Sequence, residues 1–445
     1  MVDQREALDK AIHDLPEPWK WEWFTDVMDV DGGTQPPASE FVDAPRPGYV
    51  RLVQIRDFES DRHLTYIPDS PKWRKCGTSD VLIARYGASL GRICTGLSGA
   101  YNVALAKVVP TERIHLPFAY HLLRSSYFQG PLLAGGGRSA QAGFNKDGLS
   151  IIPLPIPPIS EQRAIAHILG TLDDKIELNL QMNETLEAIA RALFKSWFVD
   201  FTPVRAKAEG RDPGLPKHIA KLFPDCFEDS ELGEIPKGWK VGSILDHSRL
   251  ISGGTPKTDH TEYWGGPISW ASAKDVSQST ESFLVETERS LTQQGIDESA
   301  TQIVPAFCSV VVARGATTGR MVLFGRPMAM NQTCYALAST TETPFALYCR
   351  LCEGMDALVH SAHGSVFDTI TTSTFASSRI ILPPPSALKI FEGRISALFH
   401  RMLNNVTATH TLAALRDTLL PKLISGELRV PAWQDLAELA RKVAP

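Results

Sequence analysis

This chain is written twice, and that constrains its fold more than any other feature. Trp19-Lys20 recurs as Trp239-Lys240. GGT at 32–34 recurs at 253–255, each time followed by a proline-containing loop. VLIARYGASLGR (81–92) recurs as VVVARGATTGR (310–320), one residue shorter, and Tyr101-Asn102 matches Met330-Asn331. SIIPLPIPP (150–158) matches SRIILPPP (378–385). The offsets drift only from 220 to 229, the pattern of a tandem duplication with small insertions. Each half, roughly 220 residues, is too long for a solenoid repeat and right for a globular domain with an attachment.

The order within each half is the same. Mixed sequence comes first, with β-branched runs (RLVQI, VLIAR, SVVVAR, RMVLF) bounded by Gly, Pro and Asn, and short helical patches such as PFAYHLLRSSYF. This predicts an α+β domain with a strong β component. A proline-rich run then forces extended backbone. A long helical segment follows, expected to start at Ser160, with Ser160 placed to cap it and Glu161 in its first turn, and near Ser386 in the second half. The expected divisions are a first globular domain at 1–158, a helix at 159–201, a connecting segment at 202–238 in which IAKLF is a candidate docked helix, a second domain at 239–385, and a second helix with a C-terminal segment at 386–445.

Stepping alternately by four and three residues gives Ile165, Leu169, Leu172, Ile176, Asn179, Asn183, Leu186, Ala190, Leu193 and Trp197. That 3.5-residue repeat marks a coiled-coil seam. Adding 226 gives Phe391, Ile395, Leu398, Met402, Asn405, Thr409, Leu412, Arg416, Leu419 and Leu423, so the polar pair recurs at the centre of the second seam. Two such stripes can pack antiparallel with polar layers meeting. A slipped register would bury amides against leucines, at roughly 1–3 kcal/mol per unsatisfied group. Asn179, Asn183, Asn405 and Thr409 therefore read as register pins, against the alternative that the asparagines face solvent. Antiparallel pairing puts Arg416 beside Asp173 and Asp174; parallel pairing puts it near Glu187. Pro421 is expected to kink or end the second helix.

The net charge of −5 excludes a globally basic nucleic-acid binder but not local basic surfaces. The polar N-terminus reads as no signal peptide, prolines interrupt the most apolar run, and seven scattered cysteines fit reduced thiols in a cytoplasm. Cys349 and Cys352 form a lone CxxC without a second pair, read as two buried thiols on a helix rather than a metal site. No phosphate loop, adenine-methyltransferase motif, nuclease motif or zinc-hydrolase motif is found. The sequence reads as a binder without its own catalysis.

The duplicated loops are the binding candidates. Arg85 and Arg92 flank Tyr86 and Ser89 in ARYGASLGR; Arg314 and Arg320 flank Thr317 and Thr318 in ARGATTGR. Glycines allow close approach to another polymer, and arginines can hold phosphates or pair with guanine, although an ordinary hairpin with solvated arginines fits too. Gly33, Thr34 and Gln35, and Gly254, Thr255 and Lys257, carry the same choice. Asn102 and Asn331 could each read an adenine or simply form a turn. The loops holding Arg138, Ser139, Gln141, Asn145 and Lys146, and His363 and Ser365, complete the candidates. Residues 46–92 hold nine Lys/Arg against five Asp/Glu, whereas 239–380 hold ten against thirteen.

The succession PLPIPPISEQRAIAHILGTLDDKIELN, LEAIARALFKSWFVDF, SELGEIPKGW and DTLLPKLISGEL resembles the specificity subunit of type I restriction–modification systems over nearly the whole chain. The resemblance implies two duplicated target-recognition domains joined by two long antiparallel coiled-coil helices in a pseudo-twofold arrangement. Each domain would read one half of a bipartite, asymmetric target in double-stranded DNA, with the helices as a ruler. It implies two modification subunits that bind S-adenosylmethionine and methylate adenine, two restriction subunits using ATP with Mg²⁺, and no cofactor or metal in this chain. A self-contained methyltransferase or nuclease, and a coiled-coil adaptor that ignores DNA, are the competing readings.

Overall fold

The computed structural model describes residues 15–136, 143–362 and 369–431. The chain divides into two compact units. One takes the chain up to Asp174 and from Leu412 onward; the other is Lys175–Thr411.

In the first unit, strands Met28–Gly32, Leu105–Pro110, Leu82–Ala84 and Ile93–Cys94 form an antiparallel sheet in that order. A second sheet orders Tyr66–Pro68, Tyr49–Val53, Gly99–Tyr101 and Lys75–Cys76, its middle pair parallel. The Trp-Lys motif and the proline-rich run are partners: Lys20–Trp23 pairs with Pro153–Ile156, Lys20 opposite Ile156. Phe24, Phe118, Phe128, Ile165, Leu169, Leu423 and Ile424 share one core.

The second unit repeats this plan. Ser248–Ser252, Cys334–Ser339, Ser309–Val312 and Met321–Phe324 follow the same strand order, with Phe283–Leu284 added in parallel at the edge. Trp264–Ala271 lies between Arg289–Leu291 and Ala329–Met330, again parallel to the latter. Lys240–Gly242 pairs with Ile380–Leu382 as the first ribbon does. Segment 202–238 is well structured: helices Thr202–Ala208 and Lys217–Ala220 and a hairpin of Phe227–Ser230 with Gly233–Pro236. It buries Val204, Ile219 and Phe223 in the aromatic core, beside Phe201 just before it, so IAKLF docks.

The long helices run Ile159–Phe198 and Pro385–Ser425. Both start one residue before the expected serines, because proline carbonyls open them: Pro158 accepts from Glu161 and Gln162, Pro384 from Ala387 and Leu388. Ser160 is therefore inside the first turn rather than its cap. The second helix runs four residues beyond Pro421 and ends at Gly426, whose φ is +76°. Proline costs a helix one hydrogen bond, and a single remaining turn limits what is lost.

No position of either heptad seam is exposed, and Asn179, Asn183 and Asn405 are buried at 2, 4 and 4% exposure. Within the second unit, Asn179 donates to Thr409 at 3.3 Å and Asn405 to Asn183 at 2.9 Å. Within the first unit, Arg416 meets Asp173 at 2.8 Å. The two amide pairs run antiparallel, and Arg416 meets the aspartate that antiparallel pairing predicts.

Candidate nucleic-acid interface

The GGT loops and the Asn turns are packed against each other. Gly33 donates to Leu105 O and Thr34 to Tyr101 O; Gly253 donates to Cys334 O and Gly254 to Met330 O. A Cβ on Gly33 would collide with the carbonyl of Asn102, and one on Gly253 with that of Asn331. The glycine requirement is therefore met inside the domain. Asn102 and Asn331 resolve as turns: each carboxamide oxygen accepts from the backbone N–H two residues on, Ala104 at 3.2 Å and Thr333 at 3.3 Å.

This register shifts the sequence comparison by one residue. Gly33 is equivalent to Gly253, so Gly32 corresponds to Ser252, Thr34 to Gly254 and Gln35 to Thr255. The second loop shifts likewise. Ala84 N bonds Arg92 O as Val312 N bonds Arg320 O, and Arg85 N bonds Ala104 O as Ala313 N bonds Thr333 O. The loops have equal length. Arg85 corresponds to buried Ala313, and Arg314 takes the place of Tyr86. The isolated bridges agree, Tyr86 with Gly143 and Arg314 with Thr369. Aligning the two Ala-Arg words created the apparent deletion; backbone hydrogen bonds, not matching letters, define equivalence.

The remaining candidates separate by what already engages them. Arg85 lies over Tyr86 and Phe144, 5.0 and 5.9 Å from their ring centroids. Arg92 is ion-paired to Glu59 and also donates to Phe58 O. Asn145 caps helix Lys146–Ser150, as Thr371 caps Thr372–Ala376. Lys146 pairs with Asp29 at 2.7 Å, a hydrogen bond that holds the Asp29 carboxyl below its ordinary range. Thr34 accepts from Arg74 N, Gln35 donates to Pro36 O, and Thr255 donates to Gln332. Ser89 and Thr317 sit in equivalent turns, closed by Arg92 N to Ser89 O and Arg320 N to Thr317 O, and Thr318 donates to Gly315 O. Lys257, Arg314 and Arg320 are exposed with no ion-pair partner among the described residues. Arg138, Ser139, Gln141, His363 and Ser365 lie outside the described residues. Cys349 and Cys352 sit on helix Pro344–Ala362, and burial pushes both thiols up, that of Cys352 to about 12.

Sequence reasoning missed Arg74, Trp264 and Trp270. Arg74 lies 3.6 Å from Asp31 beside the first loop. The Trp270 indole donates to Gly254 O at 3.0 Å and that of Trp264 to Lys257 O at 3.2 Å, fastening the second loop. The string WGGPISW carried the signal, but only strand pairing brings its indoles to GGTPK.

A family model for the type I restriction modification DNA specificity domain matches residues 16–188 and again 236–414. The chain belongs to this family. A type I specificity subunit is the DNA-recognition component of its system and is not the catalytic one. The HindI specificity subunit of Haemophilus influenzae is 30% identical over 371 residues, covering 72% of this chain and 79% of that one. The MjaIX specificity subunit of Methanocaldococcus jannaschii is 23% identical over 440 residues, covering 96% and 97%. The solved S subunit of a type I restriction–modification system from M. genitalium matches the fold with a TM-score of 0.59 at 13% identity, over 93% of this chain and 98% of that one. Among the described residues of this specificity subunit, no helix is long and apolar enough to cross a membrane.

Proposed function

We propose that this specificity subunit reads a bipartite, asymmetric DNA target, with residues 1–158 and 239–385 as two target-recognition domains for different half-sites. The observation that carries this is a shared backbone framework bearing unlike residues at equivalent exposed positions, Tyr86 in one domain and Arg314 in the other. Identical residues (Gly33 and Gly253, Asn102 and Asn331) build the loop; unlike exposed ones can discriminate bases. Residues 159–201 and 386–445 set the spacer between half-sites, with Asn179, Asn183, Asn405 and Thr409 fixing helix register. Partners are double-stranded DNA, two modification subunits and two restriction subunits, working in the cytoplasm. S-adenosylmethionine, and ATP with Mg²⁺, belong to those partners.

Mapping methylated adenines genome-wide, with the gene present and deleted, tests this reading. The expected result is a two-part, non-palindromic motif with a fixed gap that vanishes on deletion. A continuous motif, or methylation that persists, contradicts it. The purified chain with S-adenosylmethionine alone should leave DNA unmethylated.

A further inference from the structure

The second domain is acidic, which raises the question of which cations it can offer DNA. Some nearby acidic and basic side chains are paired off: Lys274 with Glu288 at 2.7 Å, and Glu262 with His260 at 2.8 Å. Arg289, like Lys257, is not among them. It is exposed and has no carboxylate partner among the described residues. Its guanidinium carbon lies 3.4 Å from the centroid of the Trp264 ring and 5.6 Å from that of Trp270. The two indoles meet edge to face at 5.2 Å, and both donate to carbonyls of the GGTPK loop. The arginine thus rests on a platform that is itself tied to a candidate reading loop, with exposed Lys257 in that loop.

Stacking occupies the guanidinium face and leaves its N–H edges free, and it removes rotamer freedom before any ligand arrives. A planar fork held this way suits bidentate hydrogen bonding to the O6 and N7 of guanine. The first domain has no counterpart at the equivalent strand positions. Strand register makes Leu52 equivalent to Trp270 and Thr65 equivalent to Arg289: Leu52 pairs with Ala100 as Trp270 pairs with Ala329, and Leu52 N bonds Thr65 O where Trp270 faces Arg289. The platform is a difference laid on a shared frame, as a residue that distinguishes two half-sites must be.

We infer that Arg289, seated on Trp264, reads a guanine in the half-site of the second domain. This rests on the bipartite reading proposed above. The test expresses wild type, Arg289→Ala and Arg289→Lys with the cognate modification subunits and maps methylated adenines. In both variants one position of one half-site should become degenerate, with roughly a 5- to 150-fold loss of discrimination there, while the other half-site and the gap stay fixed. Lysine keeps the charge but not the fork, so it should not rescue. An unchanged motif in both variants overturns the inference while leaving the bipartite reading intact. So does a uniform fall in methylation with the motif preserved, which would make Arg289 a phosphate anchor. Should Arg289→Ala fail to fold, Arg289→Lys decides alone. If wild type itself yields no bipartite motif, the underlying reading fails and takes this inference with it.

Discussion

The two globular domains share a backbone plan but are fastened to their helix segments by different chemistry. In the first unit the fastening adds charged contacts to a shared apolar core. Glu161 accepts from Trp19 at 2.9 Å and from Arg429 at 2.7 and 3.1 Å, and Asp173 holds Arg124 and Arg416. In the second it is aromatic and largely amide-based. Phe399 of the second helix contacts Phe283, Phe345 and Tyr348 of the domain, and Asn183 donates to Glu281 at 3.0 Å, a carboxyl that burial pushes up. The duplicated backbone therefore tolerates exchange both at the loops that face outward and at the contacts that seat each domain. What is held constant is the hydrogen-bonded frame: the ribbon, the strand order, the glycine against the asparagine carbonyl, and the capped helix before the second strand of the ribbon.

The largest expected effect breaks the aromatic side of this comparison. Phe399→Ala should destabilise the second unit by about 3–5 kcal/mol, because a fully buried ring among three others cannot be replaced by local collapse. Hydrogen exchange resolved by unit should show the loss confined there; equal loss in both units would mean the fastenings are not separate.

Acidification should act in opposite directions at one buried group in each unit, His121 in the first and Glu392 in the second. Burial pushes the His121 imidazole down to about 4, so the unfolded chain, titrating near 6.5, takes up its proton first. That stability is present above pH 6.5 and lost as pH falls towards 4, on the order of 3 kcal/mol. Burial pushes Glu392, which accepts from Phe345 and Ala346 N–H, up to about 6. Its folded form favours the proton, so this contribution is present below about 4.5 and lost as pH rises through 6. His121→Phe should flatten the pH response of the first unit and Glu392→Gln that of the second, in exchange rates corrected for intrinsic pH dependence. No flattening in either variant, or flattening of the same sign in both, would remove this contrast.

The smallest effect on stability should have the sharpest effect on reading. Tyr86→Arg places the second domain's residue at the equivalent position of the first. Tyr86 is 45% exposed, so losing the ring beneath Arg85 should cost only about 1 kcal/mol, while altering one half-site in methylation mapping. An unchanged motif would show that this position does not discriminate.

Much of this architecture was legible in the sequence, and for a physical reason. A buried polar pair inside a heptad seam admits few partners, so Asn179, Asn183, Asn405 and Thr409 carry direction and register as well as helix. The β-branched runs marked the strands, and the proline run marked the ribbon. Equivalence within the loops was not legible. GGT matches GGT best by letter, but the position that must be glycine is the one facing the asparagine carbonyl, which only backbone pairing identifies. The docking of 202–238 was half visible: prolines and glycines suggested a connector, while Phe201, Val204 and Phe223 needed a core to be placed against. The Arg289 platform depends on strand partners that no local pattern encodes.

The central claim is that helix register sets the gap between two independent readings. Four residues inserted between Leu180 and Met182, and four between Val406 and Ala408, would leave Asn179 paired with Thr409 and Asn183 with Asn405 while moving the two layers apart by one turn. That adds roughly 6 Å of helix, about two base pairs of DNA. Methylated-adenine mapping of this variant should return both half-sites unchanged with a gap longer by about two base pairs. An unchanged gap, or altered half-sites at the new one, would contradict the account.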